Sequence, residues 1–199
     1  MPLKPANVYG KTKLLVEEIL REIKRVYPML GVAILRYFNP VGAHSSGFIG
    51  ESSKKEPNNL MPCIAEVAAG LREKLLIFGD DYPTFDGTAL RDFIHVRDLA
   101  LGHIAALNKL EANADMIIVN LGTGSACSVL EMVQAFENVS GKKIAYEIAE
   151  RRRGDLAEYY ADPTLASKLL QWKTALSIKD MCQDAWRWQT YKAKLKDSQ

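Results

Sequence analysis

Gly31-Val32-Ala33-Ile34-Leu35-Arg36-Tyr37 is apolar at nearly every position rather than at alternate ones. A strand of that kind is covered on both faces, the pattern of a parallel sheet in an α/β protein. Upstream, Leu14, Leu15, Ile19 and Ile23 recur at intervals of three and four, which predicts an amphipathic helix over residues 8–27. Pro28 ends it. Downstream, residues 38–57 carry Pro40, Gly42, Gly47 and Gly50 and no periodic pattern. A loop of that size in a compact domain is usually functional. It leaves the C-terminal end of the strand, where open α/β sheets bind ligands.

Further on, strands and helices alternate. Asn58-Asn59 can cap a helix over 60–72, and residues 75–78 read as a strand. Residues 79–87 form a Gly/Pro/Asp loop, 92–95 a short strand and 96–110 a helix. Residues 116–120 make a buried strand that runs into Gly122-Thr123-Gly124. Ser128 caps a helix to about 140, with Glu131 placed for a capping box. A strand over 143–148, a short helix opened by Asp162-Pro163 and a last helix over 178–191 complete the chain. The class is α/β. A doubly wound nucleotide-binding fold normally opens with a strand and a Gly-rich turn, whereas this chain opens on a helix.

The 199 residues are 48% hydrophobic and 25% charged, ordinary globular usage that excludes a disordered tail or a disulfide-stapled mini-protein. With 26 basic and 24 acidic residues the charge is too even for a nucleic-acid groove. No apolar run approaches the roughly 18–20 residues of a membrane span. Met1-Pro2-Leu3-Lys4-Pro5 has no apolar core, so no signal peptide is expected. Cys63, Cys127 and Cys182 stand apart, as reduced thiols of a cytoplasmic protein do. The Asn138-Val139-Ser140 sequon then has no glycan to carry.

Tyr9 and Lys13 stand at i and i+4, on one helical face. Free tyrosine has a pKa of about 10, and a neighbouring ammonium favours the phenolate. Bringing such a phenol near pH 7 takes about 4 kcal/mol, more than one exposed lysine supplies. The pair by itself reads better as a solvated helix start. Gly122-Thr123-Gly124 reads as a tight turn, since Cys127 stands where a third dinucleotide-binding glycine would be. His44, His95 and His103 lack metal-ligand spacing, and Trp172, Trp186 and Trp188 read as core and helix packing.

Longer strings are more specific: Arg36-Tyr37-Phe38-Asn39-Pro40-Val41-Gly42-Ala43-His44, Pro57-Asn58-Asn59-Leu60-Met61-Pro62, and Arg91-Asp92-Phe93-Ile94-His95-Val96. With Tyr9-Gly10-Lys11-Thr12-Lys13 before them and Arg151-Arg152-Arg153-Gly154-Asp155 after, the chain resembles the UDP-glucose (UDP-galactose) 4-epimerases, extended short-chain dehydrogenases/reductases. The resemblance runs from about Ala6 to Gln189. It implies a partial NAD-binding Rossmann-like sheet plus the smaller C-terminal substrate-binding domain. Residues 1–40 would belong to the former and 41–199 mainly to the latter, with 88–125 returning partly to the sheet.

The resemblance also implies roles. Tyr9 would be the general base at the sugar 4-hydroxyl, with hydride passing to NAD and back by way of a 4-keto sugar. Lys13 would bond the nicotinamide ribose and lower the Tyr9 pKa. Tyr37 would line the nicotinamide, and Tyr37, Phe38 and Asn39 the sugar. Asn58, Asn59 and Leu60 match a substrate-binding turn at a helix N-terminus suited to a diphosphate. Leu76, Ile77 and Phe78 match the strand beside uracil. Arg91, Arg152 and Asp155 match the grip on UDP. Tyr159 lies where a bulky residue goes with plain hexoses, against N-acetylhexosamines. Family members are commonly homodimers through a bundle that includes the Tyr9–Lys13 helix.

The family pattern also holds roughly 150 residues that have no counterpart here, among them the dinucleotide-binding glycines and a Ser/Thr partner for the tyrosine. The expectation is therefore a chain silent in catalysis on its own, whose 31–37 strand loses its sheet neighbours and bares an apolar edge. Two other functions fit the residues: a non-catalytic UDP-sugar-binding module, and another nucleotide-sugar epimerase or dehydratase of the superfamily.

Overall fold

The computed structural model describes residues 3, 5, 7–52 and 56–197, so Ala6, where the resemblance begins, lies outside the described residues. In chain order the elements are α1 (Val8–Val26), β1 (Val32–Tyr37), β2 (Asn39–Val41), α2 (Leu60–Ala68), β3 (Leu75–Phe78), β4 (Leu90–Arg91), β5 (Phe93–His95) and α3 (Val96–Ala112). Then follow β6 (Met116–Leu121), β7 (Cys127–Ser128), α4 (Val129–Ser140), β8 (Tyr146–Ala149), β9 (Glu158–Tyr159), α5 (Thr164–Leu170) and α6 (Ile178–Asp197).

β1 runs parallel to β6, with Val32 opposite Met116 and Tyr37 opposite Leu121. The expectation that this strand loses its sheet neighbours and bares an edge is met on one side and corrected on the other, where β6 returns to cover it. Among the described residues the other edge of β1 has no strand partner. The apolar sequence is explained by layers on both faces. On one, Ala33 and Leu35 join Leu99 and Ala106 of α3, Val119 and Leu121 of β6, and Leu170 and Trp172. On the other, Arg36 reaches Glu17 of α1.

A second packing centre lies between α2, β3, α4 and α6, where Ile64, Ile77, Met132, Phe136, Met181 and Cys182 are fully or almost fully buried. β3 pairs in parallel with β8, and β4 is flanked by β7 and β9. β2 pairs with β5, so the chain leaving β1 is tied at once to the strand that feeds α3.

Local sequence sets the boundaries. The Asn7 side chain accepts the Gly10 N–H at 2.8 Å and starts α1. Ser128 and Glu131 form the expected capping box at α4. α2 stops at Ala68, short of the expected 72, because Gly70 takes a left-handed φ of 71°. The Leu71 N–H then bonds the Glu66 carbonyl and the Gly70 N–H that of Val67, a Schellman ending. Asn59 stands at the N-cap of α2, but its side chain makes no capping bond, contrary to expectation. Its amide is left to the cavity beside it.

Asp92 links the two centres. Its buried carboxylate accepts the N–H groups of Thr123 (2.9 Å), Gly124 (3.0 Å) and Ala161 (3.1 Å) and the Thr123 hydroxyl (2.7 Å). A Cβ on Gly122 would lie 2.6 Å from that carboxylate, so glycine is required there.

Candidate functional site

The C-terminal ends of the parallel strands face two clusters. The first gathers on the segment between β8 and β9. The Arg152 guanidinium lies 3.7 Å from the centre of the Phe78 ring, at the end of β3. Three residues on, Asp155 stands 4.0 Å from Arg91. Arg91 is anchored by bonds from Nη1 to the carbonyls of Leu90 and Leu156, both 2.8 Å. Tyr159, opposite Arg91 in the β4–β9 ladder, stacks on Phe38 at 4.6 Å. Phe78, Arg152, Asp155, Arg91, Tyr159 and Phe38 thus form one shelf of guanidinium groups and aromatic faces. Arg152, Asp155 and Tyr159 are exposed on it. Of the other strand residues expected beside it, Leu76 is exposed and Ile77 is buried in the core. Ile77 can contribute only backbone groups.

The second cluster is a largely apolar cavity of about 670 Å³. Asn39, Asn59 and Leu60 line it together with Met61, Phe93, Trp188 and Lys192. Its volume lies within the range of small-molecule sites. Asn58 is exposed beside it and does not line it.

Tyr9 and Lys13 share a face of α1, as their spacing predicts. The ammonium is 5.2 Å from the ring centre and the tyrosine is 70% exposed. Tyr37 is exposed at the end of β1, its ring 5.9 Å from that of His103.

Gly122-Thr123-Gly124 is a tight turn with Gly124 at φ 77°. The Thr123 and Gly124 N–H groups are already given to Asp92, which leaves them no free donor for a phosphate. His95 is buried. Its Nδ1 accepts the Arg97 N–H, so Nε2 carries the proton toward Asp184 at 3.2 Å. Trp172 donates to the Asp98 carbonyl and Trp186 packs edge-on against Phe136 in the core. Trp188, expected to be packing only, donates to the Glu51 carbonyl and walls the cavity. The three cysteines are buried and free, and burial pushes the Cys127 and Cys182 thiols up to about 12. Among the described residues no cluster of ligating side chains is arranged for a metal, and no helix is long and apolar enough to cross a membrane.

Sequence reasoning missed Arg151, which bonds Asp81 at 2.5 Å and covers the Tyr82 ring at 4.1 Å. It also missed the Glu17–Arg36 pair. The available signal was one lone charge, Arg36, in an otherwise apolar strand, which needs an opposite charge when covered.

Residues 1–122 match the NAD dependent epimerase/dehydratase family. The chain is 55% identical over 183 residues to UDP-glucose 4-epimerase of Mus musculus, covering 92% of this chain and 53% of that protein. To the Bacillus subtilis UDP-glucose 4-epimerase it is 53% identical over 189 residues, 95% of this chain and 56% of that one. The crystal structure of UDP-glucose-4-epimerase from Stenotrophomonas maltophila with bound NAD and formylated UDP-arabinopyranose superposes with a TM-score of 0.91 at 49% identity. It is matched over 94% of this chain and 56% of its own. This chain spans about half the length of the curated relatives it matches. With the family match running from its first residue past the middle of the chain, this protein belongs to the NAD-dependent epimerase/dehydratase family.

Proposed function

We propose that this chain is the substrate-holding part of a UDP-glucose 4-epimerase, interconverting UDP-galactose and UDP-glucose only together with a nucleotide-binding part. The observation that carries the reading is the shelf on which Arg152 covers Phe78 and Arg91 stands beside Asp155. Its parts match the parts of a UDP-sugar. Aromatic and guanidinium faces take a planar base, and guanidinium forks take phosphate oxygens. Asp155 accepts from a ribose hydroxyl. Phe38 and Tyr159 present ring faces to the sugar, and the bulk of Tyr159 favours plain hexoses. Asn39, Asn59 and Leu60 supply polar and N-terminal helix contacts in the cavity, with Asn58 exposed at its side.

Tyr9 takes the proton of the sugar 4-hydroxyl as general base, with the Lys13 ammonium beside its ring. NAD is the cofactor of this reading, and the described residues suit only its nicotinamide end, through Tyr9, Lys13 and Tyr37. Its diphosphate has no cradle among them, since the Gly122–Gly124 turn is occupied by Asp92. The exposed Leu15, Val16 and Ile19 of α1 suit a further protein surface, a second copy or the nucleotide-binding part.

Calorimetric titration of the 199-residue chain with UDP tests the shelf. Binding is expected, weakened at least tenfold by Arg91→Ala or Arg152→Ala and unchanged by Tyr9→Phe. Absence of UDP binding refutes the proposal. Turnover of UDP-galactose with NAD is expected only after the nucleotide-binding half of the Bacillus subtilis relative is added. Turnover by the chain alone, lost in Tyr9→Phe, refutes the division of labour.

A further inference from the structure

We infer that Glu17 and Arg36 are a positioning pair that sets the roll of α1 and so fixes where Tyr9 and Lys13 stand relative to Tyr37 and Phe38. The inference rests on the reading that Tyr9 and Lys13 do the chemistry.

Tyr9, Lys13 and Glu17 follow one another at intervals of four along one side of the helix. Glu17 is the only buried residue of α1, at 9% exposure, while Leu15, Val16 and Ile19 are exposed. Apolar packing is non-directional and leaves the roll of a lightly seated helix open. The ion pair is directional. Arg36 Nε bonds one Glu17 oxygen at 2.7 Å and Nη2 the other at 2.5 Å, a bidentate fork with one good geometry. Arg21 adds a weaker contact to the same carboxylate at 3.7 Å. At the far end, Lys24 fixes the helix lengthwise through the carbonyls of Pro28, Leu30 and Ala114.

Arg36 immediately precedes Tyr37 and Phe38 in β1 and its continuation, so one fork ties the helix to the segment that carries the sugar-facing rings. The tolerance is small. A roll of about 10° moves a side-chain tip about 6 Å from the axis through about 1 Å. A misplacement of that size costs on the order of 100-fold in rate.

The test uses two variants. Glu17→Gln keeps shape and loses charge, and Arg36→Lys keeps charge and loses the fork. In the chain completed with a nucleotide-binding half, both are expected to lower kcat by on the order of 10- to 100-fold, with KM for UDP-galactose within about twofold of wild type. In the 199-residue chain alone, 3-fluorotyrosine at position 9 is expected to shift or broaden its fluorine resonance in both variants, while the same label at position 82 stays unchanged. An unchanged kcat, or an unchanged resonance at position 9, overturns the inference. So does a change at both labels, which marks a general loss of structure. If the completed wild type binds UDP but shows no turnover, the epimerase reading alone fails, and the fluorine resonances still decide the pair.

Discussion

Asp92, itself fully buried, holds three backbone N–H groups and one hydroxyl. Truncating it takes the acceptor from all four donors at once, the Ala161 N–H among them buried. Asp92→Ala is expected to destabilise the chain by about 3 kcal/mol or more. For a chain of this length that lowers Tm by about 6–12 °C. Differential scanning calorimetry measures it, and a loss under about 1 kcal/mol would show that the amides find other partners. Gly122→Ala, which sets a methyl against the same carboxylate, is expected to cost about 1–3 kcal/mol in the same assay. On the proposed reading of the shelf, the residue at position 159 sets selectivity instead. In a completed enzyme, Tyr159→Ser is expected to raise relative activity on UDP-N-acetylhexosamines, read as a ratio of kcat/KM values.

α1 is the element whose seating depends most on charge. The Arg36 hydrogen bond holds the Glu17 carboxyl below its usual pKa of 4.5, against the opposing effect of burial. A lowered folded-state pKa means stability that is fully present above 4.5 and is lost as pH falls through the folded value. The charged groups facing it are Arg36 from β1 and Arg21 from α1 itself. Hydrogen-exchange protection factors over residues 8–26 are therefore expected to fall as the pH drops below 4.5, before those of α4 and α6. In Glu17→Gln, residues 8–26 should exchange faster at neutral pH and lose this acid response. The helix was legible in the sequence because its apolar spacing is periodic. So were β1 and α4, from a continuous apolar run and a capping box. The end of α2 was not, because Gly70 looks like any glycine until its φ turns positive. The cavity was not legible either, since Asn39, Leu60 and Trp188 come from three distant segments that meet only in the fold. The shelf's parts were named through the family resemblance, which did not say that Arg152 lies on Phe78.

At the scale of the molecule, among the described residues one edge of β1 has no strand partner and Leu101, Ile104 and Leu107 of α3 are exposed, apolar surface open to association. The 199-residue chain is expected to associate as its concentration rises, and adding the nucleotide-binding half should suppress this. Sedimentation velocity reads both, and a monomer at all concentrations would contradict the exposed-edge account. The β1–β6 ladder also dictates an order of events in time. Its two strands lie on either side of α2, α3 and all the strands between, so they cannot pair until that span has been gathered. Closing so long a loop is costly in entropy, and contacts of high sequence separation slow folding. α3 and β6 are neighbours in sequence and can meet early, whereas β1 joins late. In refolding, the amides of residues 32–37 should gain protection after those of α3. During synthesis β1 leaves the ribosome well before Leu121, and in that interval the edge that β6 later covers is open for a chaperone to hold.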